Sequence, residues 1–149
     1  MRDELGPEDS ALNRITDKLE EIEEYLGDLM EMVPKAFEEY SSDVKARAAC
    51  ERYFEKIVEA SVDLAFLVLN YKDFEMPEDE ESAFKVLADN KAIAPELSAQ
   101  LSDFKGMRNI IAHKYGEIDD SRVYLTLSEE VERDIGEYLN SIRRYLEID

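Results

Sequence analysis

Residues 43–71, DVKARAACERYFEKIVEASVDLAFLVLNY, constrain the fold more than any other stretch of the chain. Placed on a helix at about 100° per residue, their apolar side chains cover most of the circumference. A helix that is apolar nearly all round has to be surrounded. This segment is therefore the expected central helix of a bundle. One polar sector survives on it, made by Lys45, Arg52, Lys56, Glu59, Asp63 and Asn70. A solvated face would account for that sector, and so would a seam turned toward a cleft or a partner.

The remaining segments supply the surrounding helices. Leu12, Ile15, Leu19, Ile22, Leu26, Leu29 and Val33 alternate at spacings of three and four. This predicts an amphipathic helix capped by Ser10 and ended by Pro34. KAFEEYSSD reads as a connector with at most one helical turn. KDFEMPEDEES reads as an acidic loop, and a short helix is expected over 82–89. Pro95 sits where a helix favours proline, so a third main helix should run from there to His113 or Tyr115, with Gly116 as its left-handed stop. EIDDSRVYLTL is either a short helix after Asp119 or Asp120 or an extended connection. Ser128 is the expected cap of the last helix, with Val131, Ile135, Tyr138, Leu139, Ile142, Tyr145 and Leu146 facing inward. The reading is an all-α, antiparallel four-helix bundle with one or two extra short helices. Residues 1–9 form a loose tail and 10–149 a single domain.

Charge limits the partners. The chain has 149 residues, 18 basic and 37 acidic, for a net charge of −19. Such a body repels phosphate backbones in general, so any nucleic acid would need a local basic patch. One cysteine, Cys50, and one histidine leave no Cys-rich zinc set and no disulfide framework. Cys50 reads as a small core residue, and no metal or cofactor is expected. No secretory segment is visible, and the apolar run 57–69 is interrupted by Glu59 and Asp63 and too short to span a bilayer. The expected location is the cytoplasm.

One constellation is not explained by packing. The inward stripe of the third main helix reads Leu97, Leu101, Phe104, Arg108, Ile111, Tyr115. An arginine in the middle of such a stripe needs a partner or a cleft, and Glu59 or Asp63 on the central helix are the candidate carboxylates. The single histidine, His113, follows five residues later. That is about 500° along a helix, or about 140° net, so the two do not share a face on a straight helix. Either the last turn unwinds, or two subunits bring these helix ends together. Lys105, Arg108 and Lys114 form an acid-free stretch, to which Lys45, Arg47, Arg52 and Lys56 could add. Arginine plus histidine without a metal suits RNA cleavage, in which the 2′-hydroxyl is an internal nucleophile. Imidazole moves the proton and guanidinium neutralises the developing phosphate charge.

At these residues the chain resembles the HEPN superfamily, and within it the HepT-like toxins. The shared pattern is Arg, four residues, His, one residue, Tyr, here Arg108, NIIA, His113, Lys114, Tyr115, with Asn109 at the commonly polar position after the arginine. ASVDLAFLVLN, ESAFKVLADNKAIAPELSAQL and MRNIIAHKYGEIDDSRVY follow the HepT-like order, so the resemblance covers most of the chain past residue 40. It implies a homodimer with the two motifs in an interface cleft. It also implies a metal-independent endoribonuclease toxin with catalytic Arg108 and His113, supported toward RNA by Asn109, Lys105, Lys114, Arg52 and Lys56. A cognate nucleotidyltransferase antitoxin would silence it by transferring AMP to Tyr115, whose added anion would block the cationic patch. The alternative is a non-catalytic helical partner of a nucleotidyltransferase. A weaker option is a structural dimer in which Arg108 merely pairs with a carboxylate.

Overall fold

The computed structural model describes residues 6–113 and 118–149, with Pro7 and Glu8 as backbone only. All elements described are helical: α1 Pro7–Met32, α2 Phe37–Ser41, α3 Val44–Tyr71, α4 Ala83–Asp89, α5 Pro95–His113, α6 Asp120–Leu125 and α7 Val131–Leu146. A 3-10 turn at Glu80–Ser82 leads into α4, and a π-turn at Thr126–Glu130 joins α6 to α7. The expected helical bundle is what the chain forms. Gly116, the expected stop of α5, lies outside the described residues, as do Lys114 and Tyr115.

The central helix behaves as its pattern requires. Asp43 caps α3 by accepting from the backbone N–H groups of Lys45 and Ala46. From Ile57 to Ala65 every residue of α3 is buried except Glu59 and Asp63. Helix α3 packs on α1, α2, α4 and α5, while α5 meets α7 and α7 closes against α1. Cys50 is buried among these contacts as expected. Edge-to-face pairs set the register: Phe54 of α3 on Phe104 of α5 at 5.9 Å and Phe84 of α4 on Tyr138 of α7 at 5.8 Å. The fully buried Tyr138 hydroxyl donates to the Ser61 carbonyl at 2.8 Å, linking α7 to the middle of α3.

Two helix ends differ from the sequence reading. Helix α1 starts at Pro7, with Gly6 rather than Ser10 preceding it. Proline is suited to that first position because its missing N–H would have had no helical partner anyway. The larger difference is at Ser128. It caps nothing: its hydroxyl donates to the Tyr124 carbonyl at 2.7 Å, four residues back in a continuous helical run. A serine satisfies itself this way in mid-helix as readily as at a cap. The cap is Asp119, which accepts from the N–H groups of Ser121 and Arg122. The π-turn absorbs the change of phase between α6 and α7, and Thr126 and Leu127 remain fully buried through it.

Hydrogen bonds from the Ser121 hydroxyl, then from the Arg122 N–H, hold the Asp119 carboxyl below the usual carboxylate range. A lowered native pKa means that the cap contributes fully above the unfolded-state value of about 4 and is lost as pH falls through the native value. Asp119→Ala should lower the urea midpoint at pH 7, with the difference from the parent shrinking on acidification. Ser128→Ala should leave the midpoint unchanged. The reverse pattern would place the helix start at Ser128.

Candidate active site

The odd residue of α5 has found a cleft. Phe104 and Ile111, one turn to either side of Arg108, are buried in the core. The stem of Arg108 lies between them while its head turns to α3. Its Nη2 donates to Glu59 Oε1 at 3.2 Å and its Nη1 to Asn109 Oδ1 at 3.0 Å. Its Nε is buried with no acceptor among the described residues. The guanidinium forms one wall of a cavity of about 220 Å³ lined by Val58, Glu59, Val62, Asp63, Glu80, Lys105 and Arg108.

The two carboxylates offered by the sequence have separate fates. Glu59 pairs with Arg108. Asp63 lines the same cavity, but the cation within 4 Å of it is Lys18 of α1, at 3.8 Å. Burial alone would lower the Lys18 ammonium; its hydrogen bond to Glu21 at 2.7 Å, helped by the charges of Glu21 and Asp63, outweighs that and holds the pKa above its ordinary value. Lys105, one turn before Arg108, is 8 % exposed and lines the cavity. Its charge contributes to holding the Asp79 carboxyl down, a lowering due first to the Ser82 hydroxyl and N–H.

Arg52 and Lys56 do not join this cavity. Arg52 points to solvent and pairs with Glu55 at 3.7 Å. The Lys56 ammonium lies over the rings of Tyr53, at 5.0 Å, and Tyr25, at 5.5 Å. Both share the polar sector of α3 with Glu59, but Arg52 lies two turns, about 10 Å, before Glu59 along the helix axis, and the rings of Tyr25 and Tyr53 hold Lys56 by cation–π attraction. Arg47 pairs with Asp120 at 3.8 Å, and Lys45 is exposed at the start of α3. Lys105 and Arg108 of the acid-free stretch therefore share the cavity with the carboxylates of Glu59, Asp63 and Glu80 rather than with more cations. Glu80 escaped the sequence reading because an acidic loop shows no periodicity. The Asp79 cap ahead of it was the local signal, with Asp79 Oδ1 accepting from the Ser82 N–H at 2.9 Å.

His113 is the last residue of α5 and is exposed. The helix stays regular through it, so unwinding does not carry the imidazole to the Arg108 side. Arg108 and His113 stay separated by about 7.5 Å of rise and about 140° of rotation. His113 instead shares a face with Gly106 and Ile110, at spacings of four and three. Ile110 is 51 % exposed, and a Cβ built on Gly106 meets nothing within 4 Å. Tyr115 and Lys114, the remaining motif positions, are not described.

The sequence as a whole places this site. A family model described as "Ribonuclease HepT-like" matches residues 22–146. The chain belongs to the HepT-like ribonuclease family. It is 27% identical over 139 residues to the tRNA nuclease HepT of Aphanizomenon flos-aquae, covering 89% of each chain. It is also 27% identical over 89 residues to the mRNA nuclease HepT of Shewanella oneidensis, 60% of this chain and 66% of that protein. The fold matches the tri-AMPylated HEPN toxin of Shewanella oneidensis, solved in complex with its MNT antitoxin. There the TM-score is 0.82 at 22% identity, covering 87% of this chain and 96% of that one. It also matches YutE of Bacillus subtilis, a cytosolic protein of unknown function, with a TM-score of 0.75 at 17% identity over 91% and 90% of the two chains. Among the described residues, no helix is long and apolar enough to cross a membrane.

The Arg108 stem packs between apolar neighbours, methionine can fill that space, and the Glu59 carboxylate left behind is 42% exposed and stays hydrated, so the lost pair is of the weak, solvent-screened kind. Arg108→Met should therefore fold, with an unfolding free energy within about 1 kcal/mol of the parent by urea titration. A loss of several kcal/mol would make the guanidinium a structural link and support the structural-dimer reading.

Proposed function

We propose that the chain is the toxin of a toxin–antitoxin pair, a homodimeric endoribonuclease in which Arg108 of one protomer and His113 of the other act on one RNA phosphate. The observation that carries this reading is the separation of the two side chains. Arg108 turns inward to a cleft and His113 outward from the same regular helix, so neither chain alone aims both at one atom. The face bearing Gly106, Ile110 and His113 is shallow and partly apolar, which suits close approach of a second α5 about a twofold axis. Asn109 and Lys105 would support the RNA from the Arg108 side, and Lys114 is the further RNA-binding residue of the motif. Arg52 and Lys56, lying outside the cleft, could meet only a more distant part of the strand.

The chemistry follows from the groups. His113 takes the proton of the 2′-hydroxyl as that oxygen attacks the adjacent phosphorus; the P–O5′ bond breaks, the leaving 5′-oxygen takes a proton from water, and the imidazolium returns its proton to solvent. Arg108 neutralises charge on the non-bridging oxygens. The products are a 2′,3′-cyclic phosphate and a 5′-hydroxyl end, and this route needs no metal-activated water. The names of similar proteins support the regulatory half. A tri-AMPylated HEPN toxin bound to an MNT antitoxin makes Tyr115 the proposed acceptor of AMP from a cognate nucleotidyltransferase, with the nucleotide's anionic charge occupying the space of the substrate phosphate.

Purified protein in EDTA should cut RNA to these ends, and Arg108→Met or His113→Ala should each slow cleavage by about 100-fold or more. Mixing the two inactive variants decides where the site lies. A site shared between protomers restores roughly a quarter of the parental rate, because random exchange makes half the dimers mixed and each mixed dimer holds one intact site of two. A site within one chain restores nothing. If the parent itself leaves RNA uncut while binding a nucleotidyltransferase tightly, the non-catalytic partner reading takes its place.

A further inference from the structure

The cleft contains an apparent contradiction. A group meant to meet an RNA phosphate lies 3.2 Å from a carboxylate, with Asp63 and Glu80 in the same wall. A negative charge there repels the substrate and competes for the guanidinium. We propose that Glu59 is a positioning residue: it orients the Arg108 guanidinium for the phosphate, and it does so at some expense in RNA affinity. This inference rests on the reading of Arg108 as the phosphate-contacting group.

The geometry supports orientation over simple neutralisation. A guanidinium is a rigid plane with five N–H donors. In Arg108 the two terminal nitrogens are anchored separately, Nη2 by Glu59 of α3 and Nη1 by the neighbouring Asn109 amide. Two anchors on two different elements define the plane. Each anchor engages one hydrogen of its nitrogen, which leaves the second hydrogen of each for a ligand in the cleft. Nε, buried and without an acceptor among the described residues, contributes nothing to holding the plane. Losing the Glu59 anchor would therefore leave only the Asn109 contact, between adjacent residues of one helix.

Among the described residues, the ion pair recorded for Arg108 is the one with Glu59, and Glu80, though in the cavity wall, makes none with it. Asp63 shares the cavity, yet the ion pair it makes is with Lys18 at 3.8 Å. Lys105 cannot replace Arg108 either, because an ammonium is a point charge without a fork to orient. A long arginine left unanchored would have to give up its rotamer freedom when RNA binds. Glu59 has already removed that freedom, which favours turnover, while its charge opposes ground-state binding.

The test separates these two effects. Glu59→Gln keeps an acceptor oxygen in place and removes the charge. It should hold kcat within about 3-fold of the parent while KM for RNA falls. Glu59→Ala removes the anchor; kcat should drop about 10-fold or more with KM no higher than the parent's. If Glu59→Ala does not fold, Glu59→Met serves in its place. A readout independent of cleavage is the Arg108 Nε–H resonance in a 15N-labelled sample, assigned by its loss in Arg108→Met. It should be sharp and dispersed in the parent and in Glu59→Gln, and averaged in Glu59→Ala. Parental kcat and an unchanged resonance in Glu59→Ala overturn the proposal. So does a Glu59→Gln variant as slow as Glu59→Ala, which would make the carboxylate a proton-transfer group. If the parent does not cut RNA, the functional reading falls, and the resonance alone then decides whether Glu59 orients Arg108.

Discussion

Burial of α3 on almost every side governs the rest of the molecule. Its apolar side chains between Ile57 and Ala65 leave water nearly completely, each large one contributing about 1.5–3 kcal/mol toward folding. That surface can be covered only if α1, α2, α4 and α5 all pack on it, with α7 reaching it through the Tyr138–Ser61 hydrogen bond. Glu59 and Asp63 are the two positions in this run that stay out of the core. They mark where the enclosing layer is open, and α5 brings Arg108 to that opening. The cleft is thus a by-product of how the central helix is enclosed.

The charges of this acidic chain are also ordered by that opening. Around the cleft, Lys18, Lys105 and Arg108 face Glu21, Glu59, Asp63 and Glu80, so the described residues make no broad basic field there. Affinity for a polyanion in such a place depends on a few oriented donors rather than on net potential. A bidentate, planar group with two fixed anchors suits that demand better than a cluster of lysines. His113 is exposed at the end of the same helix, outside the cleft.

Legibility differed sharply between kinds of feature. Long periodic elements could be read because burial demands a repeat of three and four: the stripe Ile15, Leu19, Ile22 and Leu29 is wholly buried. Arg108 could be singled out because it breaks such a repeat, and its pairing with Glu59 was one of two options that helical phase allowed. Ends were harder. Ser10 and Ser128 are plausible caps by residue type, but the hydrogen-bonding need at a terminus is local and several residues nearby can meet it; Gly6 with Pro7, and Asp119, do so. Arg52 and Lys56 lie outside the Arg108 cavity, which the sequence did not show, because sharing a helix sector does not say which neighbour covers it. Glu80 was invisible because it enters the cleft from a short 3-10 turn.

What the sequence by itself determined is the all-helical class, the central place of α3, the family, and the residues that do not belong to the core pattern. These follow from periodicity and residue chemistry, which are properties of the chain taken a few turns at a time. Only the tertiary structure decided that Glu59 rather than Asp63 holds Arg108, that Lys56 is taken up by two tyrosine rings, and that Arg108 and His113 diverge on one regular helix. Those outcomes depend on which side chains from distant segments arrive at the same point, and no local pattern encodes that choice, because several arrangements satisfy each residue equally until the whole bundle is packed.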